Sequence, residues 1–391
     1  MQIEHRPQPD APFRRAITAA PLYLAFAATG VGVALPGVLL PSLLVRWRLG
    51  DEQGGRLFLM AWIGSSIGAL MVRGSMRSTL LAGSLTAAAA AFGLGLTGRM
   101  GADACMALYG VGLGLTMTSI SLIRQRTAPN SGTELVRLNL LWAIGACACP
   151  SLALRALSSG DIRPMLWGLA ACFAVVALWT LFQPALTIDG ERRANLMHWN
   201  IFRKVPAGLI AMTMLITGIE ASAGGWLTTY ARREGHALAG VIAAPTCFWA
   251  GLLLSRLFWS VCPAWLPPHR TVRGSLSLMC AAAILLVTGG SGVPMLSAAF
   301  GLGFGIGPVY PTLLAWALQF QRGGTIFFLA GVGSACLPWL TGLISAQRQS
   351  LRIGLLVPMA GTIAMLALSL MLPLGTWSHE GAKLEDAADA R

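Results

Sequence analysis

Fifteen acidic residues occur in the chain, and Glu220 differs from the others by lying inside the apolar run Leu215-Ile-Thr-Gly-Ile-Glu-Ala-Ser-Ala-Gly-Gly-Trp226. A charged side chain at the centre of a bilayer costs about 2.5–3.5 kcal/mol on insertion scales, so those retained there usually have a function. Removal from water favours the protonated form of a carboxyl group, which lets it exchange a proton near neutral pH. Proton coupling is the chemistry expected of Glu220; the competing role is a neutral, hydrogen-bonded packing residue. Polar and aromatic side chains punctuate the neighbouring apolar runs in the same way. Asn139 and Trp142 are three apart, Trp226 and Tyr230 four apart, and Trp249, Tyr310, Thr312, Trp316, Gln319 and Trp339 follow. Aromatic faces stack on a small ring while amides and hydroxyls bond its polar groups, so this set is the expected solute-binding surface. Trp47, Trp167 and Trp377 lie near the ends of runs and are assigned to the interfacial belt.

Other chemistries are excluded. No HExxH occurs and no histidine falls inside an apolar run, so an enzyme's convergent acid, base and nucleophile are missing. The eight cysteines have neither CxxC nor Cys/His spacing, and no metal or cofactor is expected. Gly110-x-Gly112-x-Gly114 and Gly301-x-Gly303-x-Gly305 lack the preceding strand of a dinucleotide site, and read as places where helices approach closely.

The elements that carry these residues are set by composition. Hydrophobic residues make up 55% of 391 residues and charged residues 11%, with a mean hydropathy of +0.67. A soluble chain carries roughly 25% charged residues, so this is an all-α integral membrane protein. A bilayer core takes about 20 apolar residues per helix. Twelve such spans are predicted, at 17–44, 55–72, 78–97, 102–124, 133–156, 163–182, 206–231, 238–262, 272–290, 293–319, 324–346 and 351–373. Segment 1–16 reads as an N-terminal tail, 17–182 as one six-helix bundle, 183–204 as a linker, 205–373 as a second bundle and 374–391 as a C-terminal tail. The net charge of +13 comes from arginines clustered between spans, which is how topology is set; no nucleic-acid partner is implied. With both termini inside, 18 basic residues fall inside and 10 outside, Arg256 being counted among the inside loops. That excess favours cytoplasmic termini, a cytoplasmic linker and an inner-membrane location.

A tandem repeat divides the spans six and six. Thr29-Gly30 with Gly37 matches Thr217-Gly218 with Gly225, and Trp62 with Gly64 matches Trp249 with Gly251. Tyr109-Gly110-x-Gly112-x-Gly114 matches Phe300-Gly301-x-Gly303-x-Gly305, and Gly145 with Pro150 matches Gly333 with Pro338. The four offsets lie between 187 and 191 and keep the same order. An even number of helices per copy makes the repeat parallel, about an axis along the membrane normal.

In this pattern the chain resembles the major facilitator superfamily over essentially its whole length. The family's loop between the second and third spans, G-x-x-x-D-R-x-G-R/K-R/K, corresponds to Gly68 through Arg77; Gly68, Arg73 and Arg77 are kept, Val72 replaces the acid and Ser75 the glycine. Glu134 and Arg137, three apart at the cytoplasmic start of the fifth span, are expected to pair on one helix face as a gate or topology pair. Gly218-Ile-Glu220, Gly225-Trp226, Phe248-Trp249, Gly307-Pro308 and Pro338-Trp339 are similar to the fucose/glucose-type sugar symporters. The resemblance implies two pseudo-symmetric six-helix bundles that rock about a central site. It implies secondary transport of a small polar solute, a monosaccharide first, with protons or sodium as the coupling ion. The chain is expected to act as a monomer in contact with membrane lipid. The alternatives are an exporter of amphipathic compounds or lipids, and an uncoupled facilitator.

Overall fold

Large apolar side chains cover the outer faces of the helices. Leu24, Val45, Leu96, Val175, Phe182, Val261 and Leu370 are all more than half exposed. In water such a surface would be a liability; in lipid it is what a spanning helix must present. The computed structural model describes residues 11–72, 74–127, 131–183, 204–261, 266–320 and 325–375. Arg73, most of the expected linker and most of both tails lie outside these residues.

The first bundle contains α1 (Ala11–Trp47), α2 (Asp51–Met71), α3 (Met76–Leu96), α4 (Arg99–Thr127), α5 (Ser131–Leu152), the short α6 (Leu154–Ser159) and α7 (Arg163–Leu181). The second contains α8 (Ala207–Arg233), α9 (Leu238–Val261), α10 (Pro268–Thr288), α11 (Val293–Phe320), α12 (Thr325–Arg348), and the last span, divided into α13 (Leu351–Gly354) and α14 (Leu356–Met371). Twelve candidate membrane spans result, each within a few residues of its expected position. The first helix is the largest departure, being already formed at Ala11. Pro150 explains the break between α5 and α6: it removes an i→i−4 hydrogen bond, and the helix is interrupted at Ala153. Gly74, in the turn between α2 and α3, has φ +69°, a conformation that costs other residues a steric clash.

The repeat is written in helix-to-helix contacts. In the first bundle, a Cβ on Gly30 would run into the Trp142 carbonyl and one on Gly145 into the Ala27 carbonyl, so α1 and α5 touch backbone to backbone. Gly218 against the Gly333 carbonyl and Gly333 against that of Met214 repeat this between α8 and α12. Small residues allow such approach where lipid supplies no hydrophobic drive for helix association. Likewise Gly64 and Gly110 bring α2 against α4, and Gly251 and Gly303 bring α9 against α11. This last pairing corrects one register: the equivalent of Gly110 is Gly303, two residues beyond the Gly301 expected from the glycine spacing. A three-glycine ladder superposes on itself after a shift of two, so spacing alone cannot choose; the Cβ contacts do.

A second symmetric feature was not visible as a repeat. Arg77 Nε donates to the Thr180 carbonyl at 3.1 Å, and its Nη2 donates to the Leu181 carbonyl, clasping the C-terminus of α7. In the other bundle Arg273 Nε donates to the Ser369 carbonyl at 3.0 Å, near the C-terminus of α14. A guanidinium at a helix C-terminus satisfies orphan carbonyls and complements the helix dipole. The loop-motif arginine thus fastens each bundle to itself.

Candidate functional site

The bundles meet along a seam where α1 faces α8, α2 faces α12 and α5 faces α9. At the end far from the chain termini the seam is shut. Gly37 of α1 lies on Gly224 and Gly225 of α8, so equivalent glycines of the two repeats meet. Phe58 of α2 sets an edge against Trp226 of α8, with ring centroids 5.9 Å apart. Beyond them, Arg233 donates to both oxygens of Asp51 at 2.7 and 2.5 Å, and Ser345 Oγ donates to Asp51 Oδ2 at 2.5 Å. One carboxylate from the first bundle therefore holds two helices of the second, through a bidentate pair of the stronger kind.

Between this latch and the end bearing the termini lies a cavity of about 300 Å³, at the small end of the range for ligand sites. Both bundles line it. Gly37, Phe58, Gly224 and Gly225 form its floor, and Ala69 and Phe327, near the terminus-side ends of α2 and α12, stand toward its mouth. Glu220, Asn139, Trp142, Trp249 and Tyr310 line it, as does Arg256. Trp142 and Trp249 meet edge to face across the seam, centroids 5.7 Å apart at 80°. The Arg256 guanidinium lies 5.2 Å from the centre of the Trp142 ring, within cation–π range. Among the described lining residues Glu220 is the one acid and Arg256 the one base.

Five of the expected solute-site residues, counting Glu220, are thus brought together, and six are not. Trp226 is fully buried below the floor and donates from Nε1 to the Pro338 carbonyl at 2.9 Å. Tyr230 is buried within the second bundle, its hydroxyl donating to the Leu286 carbonyl at 3.2 Å. Thr312 turns its hydroxyl back to the Pro308 carbonyl at 2.7 Å, Trp316 is buried, and Gln319 is exposed near the end of α11. Trp339 stands at the α2–α12 crossing, where its carbonyl would lie 2.9 Å from a Cβ on Gly55. None of these six lines the cavity.

The expected gate residues sit at the terminus side of the first bundle. Glu134 is buried and accepts from Arg124 Nε at 2.7 Å and from the Tyr23 hydroxyl at 2.5 Å. Arg137 is 3.7 Å from its other oxygen. Burial pushes the Glu134 pKa up, but the bonds from Arg124 and Tyr23 and the two nearby charges outweigh this and hold it below the ordinary value. The cluster ties α1, α4 and α5 together and does not cross the seam. Gly68 seats α2 on the Val111 carbonyl of α4.

Arg256 is the residue that sequence reasoning missed. It belongs to α9, five positions before the last helical residue, and is removed from the loop charges. The available signal was a charge between Leu252 and Phe258 in an otherwise apolar helix. Asp51 was hidden for a different reason: an acid in the first turn of a helix is ordinary, and its partners are 182 and 294 positions away.

The latch carries a prediction. Asp51→Asn keeps the shape but leaves Arg233 facing a neutral amide. Arg233 keeps 44% of its side chain exposed, so the loss is screened and costs about 1 kcal/mol; distances between spin labels on the far ends of α2 and α8 should still shift toward a wider population. An unchanged distribution would mean that the pair contributes nothing to closure.

Comparison with known proteins agrees with this architecture. No family model and no curated protein sequence matches the chain. Among solved structures, the nucleoside transporter NupG superposes with a TM-score of 0.71 at 11% identity, covering 90% of this chain and 97% of that one. The major facilitator superfamily transporter FucP in the outward conformation superposes at 0.60 and 15% identity, covering 91% and 99%. A mutant of the E. coli fucose:proton symporter FucP gives 0.62 and 14%, covering 91% and 98%. The chain has the major facilitator fold.

Proposed function

We propose that this protein is a secondary transporter that moves a small polyhydroxylated solute, a monosaccharide first, across the inner membrane by alternating access. Glu220 is the proton-coupling group. The observation that carries the reading is the seam cavity: both bundles build it, it is latched at one end, and its single acid faces the solute space. The excess of basic residues on the terminus side remains after Arg256 is removed from it, which supports cytoplasmic termini and a cavity that faces the cytoplasm. On this reading the bundles at 17–182 and 205–373 are joined by a cytoplasmic linker at 183–204, between tails at 1–16 and 374–391, with the first helix reaching back to Ala11. The solute path lies within one chain, which supports a monomer.

A nucleoside is the second solute class. The aromatic planes of Trp142 and Trp249 would take a base as readily as a sugar face, and of two proteins with this fold NupG is a nucleoside transporter and FucP a fucose:proton symporter. The test is uptake into proteoliposomes of the full chain, with an imposed proton gradient and radiolabelled hexoses and nucleosides, against dye efflux as the arm for amphipathic export. Gradient-dependent accumulation of a hexose or nucleoside is expected. Dye movement without solute uptake would replace this reading with the exporter, and equilibration without accumulation would replace it with a facilitator.

A further inference from the structure

Four donor atoms on three side chains beside the cavity have no hydrogen-bond partner. Nε and Nη1 of Arg256, Nε1 of Trp142 and Nε1 of Trp249 are all shut off from water and lack a hydrogen-bond partner. Folded proteins leave few buried polar atoms unsatisfied, and a buried cation without a hydrogen-bonded partner is among the most costly. These three side chains touch one another: the indoles edge to face, and the guanidinium over the Trp142 ring. Glu220 lines the same cavity, yet among the described residues no ion pair within 4.0 Å joins it to Arg256. The wall therefore holds a planar cationic fork and two N–H groups with no protein acceptor, and in this conformation Nε, Nη1 and both indole N–H groups are covered rather than open to the cavity.

We propose that Arg256, with the indole N–H groups of Trp142 and Trp249, forms a carboxylate-binding wall, and that the transported solute is a hydroxylated carboxylate of monosaccharide size. The inference rests on the transporter reading and narrows its substrate class. A guanidinium matches a carboxylate with two parallel N–H···O bonds, which this wall makes once the bundles shift to uncover its donors. The hydroxylated remainder of the solute then reaches toward Glu220 and Asn139. Glu220 faces Arg256 from α8 and Tyr310 from α11; Tyr109, the other titratable lining residue, has its hydroxyl committed to the Gly32 carbonyl at 2.7 Å. Two carboxylates beside one cation leave a net negative charge in a small buried space, which favours protonation of one of them. The solute anion thus seats with Glu220 protonated, and one proton enters with one anion, so the step carries no net charge.

The test is thermal stability of the purified full-length protein with glucuronate, glucose or a nucleoside, at mildly acidic and at neutral pH. Glucuronate should raise the melting temperature more than glucose, and more at the acidic pH, because a ligand that binds only the folded state stabilises it by mass action. Arg256→Gln should weaken the apparent glucuronate affinity about 100-fold or more, as expected for loss of one partner of a buried charge pair. Arg256→Lys should restore part of it, since a point charge replaces the fork. Trp142→Phe keeps the ring, removes only the N–H, and carries the test if Arg256→Gln does not fold; a several-fold loss is expected. Equal stabilisation by glucose and glucuronate, or glucuronate binding unchanged in Arg256→Lys and Trp142→Phe, would overturn the carboxylate wall and leave the transporter reading standing. Stabilisation by none of the three, with no uptake in proteoliposomes, would overturn both.

Discussion

Glu220→Gln should collapse proton-driven accumulation to equilibration while leaving solute exchange intact. A gradient of one pH unit is worth about 1.4 kcal/mol per proton, so a carrier moving one proton per neutral solute, or per anion without net charge, can hold roughly tenfold accumulation. Glutamine keeps the size and hydrogen-bonding capacity of the side chain and cannot release a proton. The ratio across the vesicle should therefore fall from about tenfold to about one, while preloaded vesicles still swap labelled for unlabelled solute. Glu220 can take this role because it lines the cavity and no ion pair within 4.0 Å holds it among the described residues. Unchanged accumulation in the variant would remove it from coupling.

Gly37→Leu should stop the transport cycle without unfolding either bundle. A Cβ at Gly37 would lie 2.8 Å from Gly225 Cα, and closer still to the Gly224 carbonyl, neither of which can move aside as a side-chain tip could. Overpacking a side-chain contact costs about 1–3 kcal/mol, and a backbone obstacle costs more. Closure of the far end would then be disfavoured by roughly a hundredfold or more. The expected results are transport near background and a wider label distance between the far ends of α1 and α8. Gly30→Leu is the contrasting variant. Gly30 meets the Trp142 carbonyl inside the first bundle, so its substitution should lower stability and yield. If Gly37→Leu transports normally, the glycine crossing is not part of the closed state.

Much of this molecule could be read before any coordinates, for a physical reason. Lipid requires each spanning segment to be long, apolar and helical, so span positions follow from hydropathy, and glycine spacing reveals the tandem copy because close helix approach needs small residues. Glu220, Asn139 and Trp142 stood out as polar or amphipathic groups in apolar runs. What could not be read was rotation and partnership. Trp226 and Tyr230 share a helix with Glu220, but one is buried beneath the cavity floor and the other bonds within its own bundle. Arg256 escaped because a long basic side chain near the end of a run can reach the interface, and only the packing of α5 on α9 turns it inward. The Asp51 latch joins residues of three helices with no pattern in the chain to link them.

The glycine offsets that align the two copies also identify each reactive residue's counterpart. Glu220 is equivalent to Gly32, and Arg256 to Ala69, and all four border the same space. After duplication the halves have thus specialised: the second carries both the acid and the base, and the first answers them with the two smallest side chains and lends Trp142 as a surface. A matched pair of such sites would have set four ionisable side chains around one small void, whereas this lopsided inheritance leaves one acidic and one basic residue around it.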